Sequence, residues 1–377
     1  MENMVKNFWQ GRRVFLTGHT GFKGSWLARI LTSAGAELTG YALAPTEPSL
    51  FAMLDIPMTS IIGDIRDFSA LLAAFKQANP EVVIHMAAQP LVRESYQNPT
   101  YTYEVNVMGT VNLLECARLA DGVQSIVNVT TDKVYKNHEW EWGYRETDEL
   151  GGFDPYSNSK SCSELVTQSY INAFLGGKTA VSTVRAGNVI GGGDFAKDRI
   201  VPDCVRAAAA GEVIQIRNPQ SIRPFQHVLE PLFAYLTVAE RQAENGELAG
   251  FYNIGPDYAD CVSSAEIAEL FCKYWGNGQK WENLAQKDQP HEANFLKLDC
   301  SKMRRVFGWQ PRLDIATAVK MTVDWTKSHL QGENAAELMD RQILEYLEEK
   351  NDRTTSKSGN LGESCGILRH IPQKSGV

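Results

Sequence analysis

Between Val14 and Thr131, short apolar runs alternate with stretches whose apolar residues recur at helical spacing. The runs are Val14 to Thr17, Leu38 to Ala42, Ile61 to Ile62, Val82 to Met86 and Ile126 to Thr130. Each is too short for a helix and rich in aliphatic side chains, so each reads as a strand. Strand, helix, strand repeated in this way is the rhythm of a parallel, doubly wound sheet. Before the last run, Tyr101 to Ala120 sets Val105, Met108, Val111 and Leu114 at three-residue steps. That predicts a helix with one apolar stripe, turned to the core or to a second subunit.

Asp154-Pro155 announces another helix, an acidic cap followed by a proline whose φ already suits the first turn and which needs no amide partner. It is predicted to run from about Tyr156 to about Phe174. A strand at Ala180 to Val184 leads into the glycine-rich turn from Arg185 to Asp194, after which the regular alternation is lost. The fold class expected is α/β, a Rossmann-type doubly wound parallel sheet with a smaller C-terminal α/β substrate-binding lobe. The dinucleotide domain is placed at 1–185 with late elements from about 220–260, and the lobe mainly at 186–335. Met339 to Glu348 suits a last amphipathic helix. From Asn351 onward Ser, Thr, Lys and Gly dominate, and 351–377 is expected to be a disordered tail.

With 43% hydrophobic and 22% charged residues, 377 residues can bury a full core. A net charge of -8 without a basic cluster argues against a nucleic-acid binder, so an anionic substrate would need individually placed arginines. Neither a secretory leader nor an apolar run of membrane-spanning length is present, and the chain is expected to stay in the cytoplasm, with no membrane partner. The seven cysteines are scattered without a Cys-x-x-Cys pair or zinc spacing, which predicts reduced, mostly buried thiols and no metal.

Gly18-His-Thr-Gly21-Phe-Lys-Gly24 follows the first strand and opens a helix over Ser25 to Ser33. In that context Gly18, Thr20, Gly21, Phe22, Lys23 and Gly24 form a loop whose amides can approach a pyrophosphate at a helix N-terminus. The acidic residue expected about 20 positions on is missing, Tyr41-Ala-Leu-Ala44 standing in its place. No Lys or Arg occurs between Arg29 and Arg66, which leaves little to neutralise a 2′-phosphate, so NAD is favoured over NADP. Asp64 and Ile65, ending the third strand, are placed to meet the adenine. Ala87, Ala88 and Gln89, ending the fourth, are placed to line the cofactor cleft.

Tyr156 and Lys160 stand four residues apart, hence on one helical face, where the lysine can lower the phenol's pKa and make it a base for a sugar hydroxyl. Thr131, at the end of the fifth strand, can hydrogen-bond the same hydroxyl. Glycine loop, strand-end Thr and Tyr-x-x-x-Lys together resemble the extended short-chain dehydrogenase/reductase family. That resemblance assigns Asn106 its usual structural asparagine, counted here with the cofactor residues. It also implies transient oxidation at carbon 4 of a nucleotide sugar, for epimerisation, decarboxylation or dehydration.

The two residues after Thr131 narrow the choice of reaction. Thr131-Asp132-Lys133 lies where the family's sugar-nucleotide 4,6-dehydratases carry Thr-Asp-Glu, with the Asp as acid for the departing 6-hydroxyl. The lysine, together with Ala87 to Arg93, Arg185 to Asp194, Asp198 to Asp203, Arg223 to Pro231 and Lys297 to Lys302, is similar to the branch acting on CDP-glucose. Lys133 could then take the carbon-5 proton as a free amine, or stay charged and stabilise the enolate. The resemblance further implies a homodimer and assigns substrate contacts to Arg93, Arg185, Asn188, Arg199, Arg217, Arg223 and His291. For His227 and His291 the residues alone favour structural roles. A 4-epimerase, or a non-catalytic NAD-binding sensor on the same fold, are the rival readings.

Overall fold

The computed structural model describes residues 8–284 and 295–355. Seven parallel strands form the central sheet: β1 (Arg13–Thr17), β2 (Glu37–Ala42), β3 (Thr59–Ile62), β4 (Val82–His85), β5 (Ser125–Val129), β6 (Ala180–Ala186) and, late in the chain, β11 (Phe251–Ile254). Their order is β3-β2-β1-β4-β5-β6-β11, with Val14 level with Leu38 on one side and Val82 on the other. Every residue of β4 and β5 is buried, because helices cover both faces and leave no solvated side to alternate with. Successive side chains feed opposite cores. Val14 and Leu16 join a cluster with Trp26, Leu232 and Met339, and Phe15 joins one with Phe75, Leu113 and Ile126.

The first cluster is closed by α1 (Phe22–Ser33), α8 (Leu229–Glu244) and α12 (Ala335–Thr355), and the second by α2 (Phe68–Ala78), α5 (Gly109–Arg118) and α6 (Pro155–Tyr170). Local chemistry starts several of these helices. Asp67 caps α2 by accepting from the Ala70 amide, and Asp154 caps α6 from the Ser157 amide with Pro155 in the first turn. Ser263 and Glu266 form a capping box on α9 (Ser264–Trp275).

The remaining elements build a lobe over the C-terminal edge. Its core joins α7 (Ile200–Ala209), β8 (Ile214–Ile216), α9 and α11 (Ile315–Leu330). Short pairs brace it: β8 with β13 (Trp281–Asn283), β9 (Ile222–Arg223) with β12 (Val262–Ser263), and β7 (Val189–Ile190) with β10 (Gln226–His227). The α/β class and doubly wound sheet expected from the hydrophobic pattern are thus present.

Two expectations need correction. Residues 99–118 are helical, but three-residue steps drift by about 60° each around an α-helix, and a π-turn over Glu104–Met108 shifts the phase again. The four residues therefore share no face: Val105 and Leu114 are buried while Met108 is 50% exposed. At the C-terminus, α12 continues to Thr355, past the position where a disordered tail was expected to begin. Residues 356–377, with Cys365, and His291 lie outside the described residues. Of the other cysteines all are free, but Cys162, Cys261 and Cys272 are only partly buried. Leu114→Ala should cost about 2–5 kcal/mol and Met108→Ala less than about 1 kcal/mol, a contrast readable in urea denaturation midpoints.

Candidate active site

The site begins where β1 ends. Gly18 has φ of 79°, and a Cβ on it would stand 2.9 Å from the Ala87 amide nitrogen, so a side chain there would drive apart the ends of β1 and β4. Gly24 is tighter, its Cβ falling 2.1 Å from the Gly18 carbonyl oxygen. No side chain caps α1 at Gly21, and its first turn holds no acidic residue. The first amides of that helix are left to an outside anion, which fits the pyrophosphate of a dinucleotide.

A cleft of about 790 Å³ opens from this loop, within the range of small-molecule sites. Gly18, Thr20, Gly21, Phe22, Lys23, Gly24, Asp64, Ile65, Ala87 and Ala88 all line it. So do Thr131, Lys133 and Tyr156, and of the expected substrate residues Arg93, Asn188, Arg199, Arg217 and Arg223. Thr20 fixes the loop to the end of β2 by donating to the Leu43 carbonyl at 2.9 Å.

Asp132 and Lys160 stand behind this wall. Asp132 is fully buried, its Oδ1 accepting from the Thr131 hydroxyl at 2.9 Å and from Lys133 Nζ at 3.1 Å. Its Oδ2 has no hydrogen-bond partner among the described residues. Lys133 also donates to Asn188 Oδ1 at 3.3 Å. Burial pushes the Tyr156 phenol up to about 12, against the hydroxyl of Thr131, which lowers it. The expectation that Lys160 itself lowers the phenol is not met in this arrangement: its amine donates to the Val129 carbonyl at 3.1 Å. Burial brings that amine down to about 8, with Glu164 acting the other way. Lys23 is similar, its amine donating to the Tyr235 hydroxyl at 3.1 Å and lowered to about 7 by burial and by Lys160 and Arg199.

Two expected ligand contacts, and the asparagine whose expected role was structural, are internal joints. The Gln89 side chain closes its own turn, with Nε2 donating to Thr102 at 2.9 Å and Oε1 accepting from the Leu91 amide at 2.6 Å. Asn106, in the π-turn, accepts from the Gln89 amide and donates to Ser159 at 2.9 Å, tying β4 to α6. Arg185 points away from the cleft into a buried ion pair with Glu164, 2.9 Å from Nε to Oε1. An arginine on an interior strand position finds its partner on the neighbouring helix rather than in the site. Of the arginines that do reach the cleft, Arg199 pairs with Asp194 at 3.0 Å and Arg217 with Asp198 at 2.9 Å.

Glu164 and Tyr235 escaped sequence reasoning. Glu164 lies one turn beyond Lys160, so Tyr156, Lys160, Glu164 continue one stripe, a signal that spacing carried. Tyr235 sits in an apolar helix with no such mark.

Residues 15–322 match the family model described as GDP-mannose 4,6 dehydratase. The chain is 48% identical over 352 residues to the CDP-glucose 4,6-dehydratase of Salmonella typhimurium, covering 91% of this chain and 98% of that one. A dTDP-glucose 4,6-dehydratase of Bacillus anthracis, solved in complex with NAD, superposes with a TM-score of 0.72 at 22% identity, over 84% of this chain and 97% of that one. An epimerase of Methanothermobacter thermautotrophicus superposes with a TM-score of 0.76 at 21% identity, over 89% and 97%. These two show the shared fold.

Three buried imidazoles under the site set a pH dependence. Burial lowers His19 to about 4 and His85 and His227 to about 3 from 6.5. Each is neutral where an unfolded chain would bind a proton, so its contribution is complete above about 6.5 and is lost as pH falls. Glu230, raised to about 7 by burial, works the other way, losing its contribution as pH rises from 4.5. Glu146 and Asp260, also raised by burial, act with Glu230, but the shifts of His85 and His227 are the largest of these, so the thermal midpoint should fall between pH 6.5 and 4, and less steeply in His85→Gln.

Proposed function

The chain belongs to the GDP-mannose 4,6 dehydratase family, and from that premise we propose that it is an NAD-dependent hydro-lyase converting CDP-glucose to CDP-4-dehydro-6-deoxyglucose and water, a step toward deoxysugars. The observation that carries this reading is the Thr131-Asp132-Lys133 turn, whose Thr131 and Lys133 line one cleft with Tyr156 while Asp132 lies directly behind, in a chain 48% identical to a CDP-glucose 4,6-dehydratase. When bound, NAD supplies a two-electron acceptor that is restored by the end of each turnover. Gly18 and Gly24 let the loop close on β4 and on itself, so the uncapped first amides of α1 would hold its pyrophosphate, and Asp64, Ile65, Ala87 and Ala88 line the same cleft.

Tyr156 takes the proton of the sugar's 4-hydroxyl, with the Thr131 hydroxyl holding that oxygen. Lys160, on the same helical stripe, stands behind the wall with its amine held by the Val129 carbonyl. The resulting 4-ketone acidifies the proton on carbon 5. Asp132 protonates the 6-hydroxyl, which leaves as water, and Oδ2 is the oxygen free to do so. Lys133 already donates to Asp132 and Asn188, which holds its amine beside the acid at the cleft wall. We assign it to the enolate, as stabiliser, with the carbon-5 proton passing to water, since Tyr156 already holds the proton of the 4-hydroxyl, and with the hydride taken from carbon 4 returning at carbon 6. Arg93, Arg199, Arg217, Arg223 and Asn188 grip the diphosphate end.

The same proposal takes 1–185 with α8 and β11 as the cofactor domain and the rest of 186–335 as the substrate lobe. It includes a cytoplasmic homodimer formed on α5 and α6 and the turns that flank them, where Met108, Leu119, Leu165 and Phe174 are exposed. The test is turnover of CDP-, dTDP-, UDP- and GDP-glucose with added NAD, read by product mass. Loss of water with CDP-glucose alone is expected; an isomer of unchanged mass would make the protein an epimerase. Tyr156→Phe should lower kcat by about 10²–10⁴, whereas Lys133→Met with undiminished turnover would remove that lysine from the mechanism.

A further inference from the structure

The turn that carries Thr131, Asp132 and Lys133 is bracketed by two residues the mechanism does not use. On one side the Thr130 hydroxyl donates to Glu164 Oε1 at 2.5 Å. On the other the Tyr135 hydroxyl accepts from Arg185 Nη1 at 2.7 Å and donates to Asn253 Oδ1 at 2.7 Å. Glu164 and Arg185 are themselves a bidentate pair, Nε to Oε1 at 2.9 Å and Nη2 to Oε2 at 3.0 Å. Both ends of the turn therefore hang on one ion pair.

That pair also carries the helix that supplies the base. Glu164 follows Tyr156 and Lys160 on one stripe of α6, and its second oxygen accepts from Thr183 on β6 at 2.6 Å. Next to it, the Ser161 hydroxyl donates to the Val134 carbonyl at 2.7 Å, and Lys160 donates to the Val129 carbonyl. Residues 160 and 164 thus seize the chain just before the 131–134 turn, and residue 161 seizes its last residue.

We infer that Glu164, Arg185 and Tyr135 are positioning residues for the elimination step: their bridge holds the acid Asp132 and its neighbour Lys133 in register with Tyr156. The inference rests on the dehydratase reading for its kinetic part. Oxidation at carbon 4 leans on Tyr156, which the cap and the apolar contacts of α6 hold independently of the turn. Elimination needs the turn itself, so loosening the bridge slows the second step more than the first.

Glu164 and Arg185 variants risk misfolding, so the test uses Tyr135→Phe and Thr130→Val, which leave the ion pair in place. In both, hydrogen exchange of the amides of 130–135 should rise while that of β1 and β4 stays unchanged, a readout that needs no substrate. With CDP-glucose, kcat should fall by about tenfold with KM within about twofold. In single turnover the absorbance of reduced NAD should form at the native rate and decay more slowly. Unchanged exchange in the turn in both variants would overturn the inference. So would lower thermal stability with native kcat and native decay. If the native protein dehydrates no sugar nucleotide, the dehydratase reading fails, and the exchange measurement alone decides whether the bridge holds the turn.

Discussion

The ion pair between Glu164 and Arg185 is the constraint on which the working end of this protein depends. Its side chains are 0% and 3% exposed, and charges so dry are tolerated only when their remaining donors and acceptors are used. Thr130 and Thr183 serve the carboxylate, while Tyr135 and the Glu146 carbonyl serve the guanidinium. Removing one partner from a pair of this kind costs about 3–5 kcal/mol, a large share of the stability of an ordinary domain. The elements it joins to β6, namely α6 and the turn that follows β5, carry the catalytic side chains, so the same interaction secures the fold there and sets the geometry of the site.

Electrostatics around the cleft follows a different rule. A chain of net charge -8 gathers Lys23, Lys133, Lys160 and Arg199 around one cavity. The lysines are held by neutral or adjacent acceptors, and burial lowers two of them toward neutrality. The arginines lean on Asp194, Asp198 and Asp203 at partly exposed positions. Such pairs are worth only about 0–1 kcal/mol, so an incoming diphosphate can share or replace them at little cost. The carboxylates keep the guanidinium groups ordered without competing strongly for them.

Much of the fold and part of the site are legible in the order of residues. The run lengths of Val14 to Thr17 and Val82 to Met86, the cap at Asp154-Pro155 and the glycine spacing at 18, 21 and 24 each encode a local geometry. Local geometry is what a linear pattern can carry. The stripe from Val105 to Leu114 misleads because a helix turns about 100° per residue, so that threes drift, and because a π-turn leaves no composition signature. Glu164 can be read from its spacing to Lys160, but nothing in that spacing says that it faces inward.

Strand and helix order, the anion-accepting loop and the residue types able to move a sugar's protons follow from the amino-acid sequence alone, since all of these depend on neighbours within a few positions. The direction of the long side chains is instead a property of the assembled fold. Arg185 meets Glu164, 21 residues earlier in the chain, and Tyr135, 50 residues earlier, and this turns an expected substrate contact into the brace of the catalytic turn. Gln89 and Asn106 are likewise claimed by each other across 17 residues. A buried polar group must take whatever partner the packing brings to it, and that partner is fixed by the path of the chain rather than by the residues beside it.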